Sequence, residues 1–303
     1  MQYVASGFLK VGAAVLGITV DRYNEVKAAK RSCLFAVEVE EKLNLLLANY
    51  YEFETELLKQ AESFVIWPKL NHESAMLARL SIDRRLVNLL TSCRLYLDQT
   101  DHGFSQLYGN PSPELSNLIE FRHDLYDSHF GYRLLEALRN HVQHSGLPVH
   151  VFTRNISLIK GAIPNYGQHV VIPQTKPETL AENESFKKSV LAELCAMGKE
   201  VDLRVHVRDY ISCLVQVHLH IRTLISSKIT ADRTVYNSAC TEYSTINSQA
   251  VQVPHLIAIN EDGSHSEQIA LSTEILSYYE SLVTRNTINP SIYSAFASNS
   301  IQK

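Results

Sequence analysis

The sequence predicts a mainly α protein, a helical bundle with small β-hairpin elements appended. Two long stretches, about Tyr23 to Phe64 and His72 to Thr100, contain neither proline nor glycine. Their apolar residues recur at helical spacing with charged residues between them, and amphipathic helices joined by short connections favour a bundle. The chain is 45% hydrophobic and 20% charged, the balance of a globular core. Its 303 residues suffice for one large domain or two ordinary ones. The expected division is an N-terminal segment plus bundle over 1–150, followed over 151–303 by a helical continuation with small β elements packed on the same core.

In the first helix Leu34, Val37, Leu45, Ala48, Tyr51 and Leu58 are expected on the apolar face, and Trp67-Pro68 ends it. Met76, Leu80, Leu86, Leu89, Leu90, Cys93 and Leu97 form the expected stripe of the second. His102 to Pro113, with two glycines and two prolines, reads as a loop. A third helix is expected over about Glu114 to Asp127. A fourth, about Ser128 to His144, carries Tyr132, Leu135, Leu138 and Val142 and is stopped by Gly146 and Pro148. Val149 to Thr153 alternates like a strand, with Gln168 to Pro173 as its partner, and Pro173 to Ala181 reads as loop.

Helices are expected again over Ser185 to Met197 and Leu203 to about Ile229. Asp262-Gly263 lies between two short apolar runs, Val253 to Ile259 and Ser266 to Leu271, a hairpin signal. A last helix, about Thr273 to Thr284, precedes a Ser/Asn-rich tail from about Pro290 that is expected to fray. Near the N-terminus the apolar run Val11 to Val20 is shorter than the roughly 20 residues of a membrane-spanning helix. It is expected to form a buried strand or a short helix.

Formal net charge is −4, so no global positive field draws nucleic acid, and any RNA contact must be local. Cys33, Cys93, Cys195, Cys213 and Cys240 are widely spaced and form no CxxC pair, as expected of thiols in a reducing compartment. There is no phosphate-binding glycine loop, dinucleotide fingerprint or serine nucleophile elbow. No cofactor is expected.

Chemistry concentrates in Leu138-Arg139-Asn140-His141-Val142-Gln143-His144, at the end of the fourth helix. A guanidinium grips phosphate through a planar fork of donors. An imidazole moves protons near neutral pH. Asn140 and His144 are i, i+4 and share a helix face. Arg139 lies about 140° from His144 around an ideal helix, so convergence relies on the length of arginine. The blander alternative pairs Arg139 with Glu136, Glu120 or Asp124 and leaves His144 at the favourable negative end of the helix dipole.

Arg139-(x)4-His144, with Asn140 directly after the arginine, resembles the signature of HEPN domains (higher eukaryote and prokaryote nucleotide-binding). Phe130-Gly131-Tyr132-Arg133-Leu134, the segment Leu138 to Val149, and Arg84-Arg85-Leu86-Val87-Asn88-Leu89-Leu90 with Leu95-Tyr96-Leu97-Asp98 are similar to a group of bacterial proteins of that type. The likeness covers about residues 30 to 150 and thins out toward 285.

It implies a metal-independent endoribonuclease in which Arg139, His144 and Asn140 are catalytic. Arg84, Arg85, Arg122 and His141 are the expected RNA contacts. It further implies a homodimer with a composite site, a role in host defence or toxin-like growth arrest, and an antitoxin or regulatory protein as partner; the short N-terminal apolar run is what leads to the expectation of a cytoplasmic protein. A noncatalytic RNA-, nucleotide- or protein-binding module and a helical structural subunit are the alternatives.

Other groups read more plainly. His141 and His144 are i, i+3 but offer only two ligands, so no metal is expected there. His218 and His220 diverge if Leu203 to Ile229 is helical. Arg79, Arg84, Arg85 and Arg94 make either a solvated face paired with Asp83 and Asp98 or a phosphate-guiding surface. His123 is a further candidate polar group near the motif. Tyr50-Tyr51 and Tyr278-Tyr279 are expected to pack.

Overall fold

The structure, a computed structural model, describes residues 1–6, 15–67, 71–158, 167–244, 253–289, 291–294 and 297. It is mainly helical with small antiparallel sheets. The chain forms two compact units, each drawing on residues from both sides of position 150. One comprises Met1–Glu41, Gly103–Ser112 and Ile221–Thr287, the other Lys42–His102, Pro113–His220 and Ile288–Lys303. Among the described residues no helix is long and apolar enough to cross a membrane.

In chain order the elements are β1 (Gln2–Ser6), β2 (Val15–Gly17), α1 (Val20–Ile66), α2 (His72–Tyr108), α3 (Pro113–Ser128) and α4 (Phe130–His144). Then come β3 (Val151–Leu158), β4 (Gly167–Thr175), α5 (Pro177–Ala181), α6 (Lys188–Met197), β5 (Val201–Asp202) and α7 (Leu203–Ser244). The C-terminal elements are β6 (His255–Ile259), β7 (His265–Ala270) and α8 (Glu274–Arg285). The strand-like reading of 149–153 and 168–173 corresponds to β3 and β4, paired antiparallel with Phe152 opposite Pro173. The 253–271 hairpin is β6 and β7. Residues 173–181 are not loop, since β4 runs to Thr175 and Pro177 opens α5 at a position where the missing amide hydrogen costs nothing.

The first unit packs a four-stranded sheet, in the order β2-β1-β6-β7, against parts of α1 and α7. Its core gathers Tyr23, Val26, Ala29 and Cys33 from α1, Tyr236, Ala239, Cys240 and Tyr243 from α7, and Leu256, Ala258 and Ile269 from the sheet. β2 is exposed throughout, so the part of the 11–20 run that is described is not a buried strand. Val11 to Ala14 and most of the tail from Pro290 lie outside the described residues.

The apolar stripe of α1 is not the one its hydrophobic residues suggest. Leu34, Leu45, Ala48, Tyr51 and Leu58 are exposed, and the buried stripe is Cys33, Ala36, Val37, Glu40, Leu43, Leu46, Tyr50, Phe53, Leu57 and Phe64. A carboxylate sits in the middle of it. Glu40 is tolerated there because Arg222 clasps both its oxygens at 2.7 and 2.8 Å, and the Asn286 side-chain amide donates to Oε2 at 2.9 Å. A buried carboxylate with both oxygens hydrogen-bonded and a cation against it is stable where an unpaired one is not. Likewise Met76 and Leu80, at the start of α2, are exposed, and Ala78 and Ile82 are buried instead.

The second helix also outruns its expected end by two turns. His102 to Tyr108 is helix, and only 109–112 connect α2 to α3. Gly103 does not break the helix because it serves packing. A Cβ at this position would lie 2.2 Å from the Phe35 ring, which also meets the fully buried Phe104 edge-on at 5.7 Å. Replacing a helical glycine by alanine ordinarily stabilises by about 1 kcal/mol. Here we expect Gly103→Ala to destabilise by about 1–3 kcal/mol through overpacking. The sign of the shift in urea midpoint decides between the two effects.

Candidate functional site

The motif occupies the last turns of α4, in the second unit. Gly131, Leu134, Leu138 and His141 follow the 3-4-3 spacing of a buried stripe, joined by Tyr132, Leu135 and Ala137. His141 is therefore a histidine at a core position. Arg139 falls beside the stripe, and Asn140 and His144 are exposed.

Asn140, His141 and His144 line one cleft of about 110 Å³, with Tyr126 and Glu136 on one side and Asn183, Ser185, Phe186 and Lys187 on the other. The Lys187 ammonium lies 4.6 Å above the Tyr126 ring and donates to its hydroxyl. Glu136 accepts from the Tyr210 hydroxyl and from Arg94 at 3.4 Å, so the one carboxylate of the cleft already faces a cation. Arg139 does not line the cleft. Its Nη1 donates to Asn140 Oδ1 at 3.1 Å, and its buried Nε has no hydrogen-bond partner among the described residues. Asn140 and His144 are brought together as their spacing implies, while Arg139 reaches them only through Asn140.

The tautomer of His141 follows from its neighbours. Asn183 Oδ1 accepts from the Ser185 amide and hydroxyl at 3.1 and 2.6 Å, which turns Asn183 Nδ2 toward His141 Nδ1 at 3.1 Å. Nδ1 accepts, so the ring proton resides on Nε2. Burial holds this imidazole below its ordinary value, favouring the uncharged ring.

His141 also borders a second, wider cleft of about 580 Å³, lined by Arg79, Gly146, His150, Thr179, Glu182 and Glu184 among others. The chain leaving α4 is fastened here. Asp83 Oδ1 accepts the Val149 amide at 2.9 Å and Arg79 donates to the Val149 carbonyl at 2.9 Å, so one turn of α2 grips both polar groups of one residue. His150 Nδ1 accepts the Lys176 amide at 2.9 Å. Burial pushes the Asp83 carboxyl up to about 6, and burial with the nearby His141 and Arg79 pushes His150 down to about 4.

The other expected RNA contacts lie elsewhere or are engaged. Arg85 pairs with Glu52, Arg122 with Asp101 at 2.8 Å, and Arg94 with Asp98 at 2.7 Å. Arg84 and His123 are exposed and line neither cleft. His218 and His220 diverge on α7: His218 is buried against the Tyr96 hydroxyl, and His220 stacks on Phe121 at 4.2 Å. Sequence reasoning passed over Asn183, Lys187 and His150. For His150 only the adjoining strand pattern was a signal, and for Asn183 and Lys187, far along the chain from the motif, there was none. The burial of His141 was legible, since it continues the Leu134–Leu138 stripe.

Comparison with family models, with curated proteins and with solved structures gives no match.

The two displaced titrations have opposite consequences for stability. An imidazole held below its unfolded value favours the native state fully at pH above 6.5, and this is lost as pH falls toward about 4. A carboxyl held above its unfolded value does the reverse, its contribution falling as pH rises from 3.8 toward about 6. We expect wild-type protein to lose about 1–2 kcal/mol more stability than His150→Gln between pH 7 and pH 5. Asp83, His206 and His220 are common to both proteins and cancel, while His141, which faces His150, contributes to the difference. Urea titrations giving the same loss for both would show that His150 is not held uncharged.

Proposed function

We propose that the end of α4 is an RNA phosphodiester site and that the protein is a metal-independent endoribonuclease of HEPN type, acting in the cytoplasm. The observation that carries this reading is the convergence of Asn140, His144 and the uncharged His141 on one cleft with the Lys187 ammonium. His144 removes the proton of a 2′-hydroxyl. Its oxygen then bonds to the adjacent phosphorus as the bond to the 5′-oxygen breaks, and the leaving oxygen takes a proton from a second imidazole. The products are a 2′,3′-cyclic phosphate and a 5′-hydroxyl. Lys187 faces the nonbridging oxygens, where charge builds, and Arg139, outside the cleft, acts on them only through Asn140.

The resemblance to HEPN domains supplies the second imidazole and a closer guanidinium from another copy of the chain, in a composite homodimeric site. With it comes a role in defence or growth arrest under an antitoxin or regulatory partner. The position of Arg139 outside the cleft favours a second reading, in which the chain binds RNA without cutting it.

Fluorescent RNA incubated with purified protein in EDTA separates the readings. We expect cutting by wild type and a loss of about 10²–10⁴-fold in His144→Ala and Arg139→Ala. Retained binding without cutting under any condition supports the binding module. Absence of both leaves a structural role.

A further inference from the structure

The other end of α4 carries a second cluster of chemistry-bearing side chains. His129 is the residue before the helix, and its own side chain makes no cap. Asp209 and Cys213 stand i, i+4 on α7. A nitrogen of His129, a carboxylate oxygen of Asp209 and the thiol sulfur of Cys213 all lie within 4.8 Å of one another. All three belong to the second unit.

We propose that His129, Asp209 and Cys213 form a binding site for a divalent transition metal of zinc type. The donor set is imidazole, carboxylate and thiolate, which suits a borderline-soft cation and neither calcium nor magnesium. His129 Nδ1 and Asp209 Oδ1 are 2.7 Å apart and share a proton. A tetrahedral zinc with bonds of about 2.0–2.3 Å would replace that proton, with donor atoms spaced by roughly 3.3–3.7 Å. The imidazole and carboxylate thus need to separate by less than about 1 Å, and the sulfur to approach by about as much. On binding, the Cys213 thiol proton leaves to solvent, and the proton shared by His129 Nδ1 and Asp209 moves to Nε2 of the imidazole, which stays neutral.

The carboxylate is already held in place. Asp209 Oδ2 accepts the Gly131 amide at 3.0 Å, which leaves Oδ1 to the metal and fixes the plane of the carboxylate. Gly131 makes the approach possible, because a Cβ there would stand 2.6 Å from Asp209 Oδ2 and 2.6 Å from the His206 carbonyl. His129 and Asp209 are partly exposed while Cys213 is buried, giving the cation an entry path and a side open to a water as fourth ligand. His129 and His144 stand at opposite ends of α4, about 22 Å apart along its axis. The metal therefore takes no part in the RNA chemistry proposed above. It ties the start of α4 to α7, a structural role.

Cobalt tests the thiolate directly. The full chain, stripped with chelator and then titrated with Co²⁺, is expected to show a thiolate-to-cobalt charge-transfer band in the near ultraviolet, saturating at one ion per chain and abolished by added Zn²⁺. Cys213→Ser is expected to lose the band, and His129→Gln to weaken cobalt binding at least about tenfold. Cys195→Ser, which removes the one exposed cysteine, is expected to retain it. Circular dichroism confirms that each variant is folded. No band in wild type, or a band that survives Cys213→Ser or disappears with Cys195→Ser, overturns the site.

Discussion

The grip of one turn of α2 on Val149 is the constraint from which the candidate site follows. Asp83 and Arg79, four residues apart, take the amide and the carbonyl of the same residue, just after α4 ends. Asp83 is fully buried, and among the described residues its Oδ2 has no hydrogen-bond partner, with Arg79 Nη1 3.7 Å away. A carboxylate so placed costs free energy when ionised, which is why its titration is displaced upward. The return is positional. With Val149 fixed, the chain turns at once into β3, and His150 fastens it to the end of β4 through the Lys176 amide. β4 leads into α5 and the following turn, from which Asn183 and Lys187 meet the end of α4.

α4 is held at both ends by groups from other elements. At its start the cap comes from Asp209 of α7 in place of the helix's own N-cap residue. At its close the His141 carbonyl accepts the amides of Ser145 and Gly146 at 2.8 and 3.2 Å, while the His141 ring takes a hydrogen bond from Asn183. A helix of 15 residues is marginal alone in water. These tertiary ties and its apolar stripe keep the exposed Asn140 and His144 at a fixed place on the surface.

Several features were readable from residues alone because one local cause dominated them. The face of α7 built from Val207, Ile211, Leu214, Val215, Ile221 and Ile225 is buried as its spacing implies. The shared cleft of Asn140 and His144 follows from helical geometry. Where a polar residue sat in a stripe, pattern reading failed. In α1, Glu40 belongs to the core because Arg222, 182 residues later, neutralises it, while apolar Leu45 and Tyr51 face water. Gly103 suggested a break because a lone glycine does not announce the aromatic ring packed against it.

The sequence by itself determined most of the helical segments, though not the end of α2, α5 or the last third of α7, and which face of α4 displays the motif, since periodicity, Gly146 and Pro148 act within a few residues of one another. Tertiary structure decided what surrounds that face. Lys187 and Asn183 enter the cleft, Arg139 is turned to Asn140, and the arginines of α2 and α3 are largely spent on carboxylates. Such pairings are set by distances between groups far apart along the chain, and no local rule of spacing or propensity contains them.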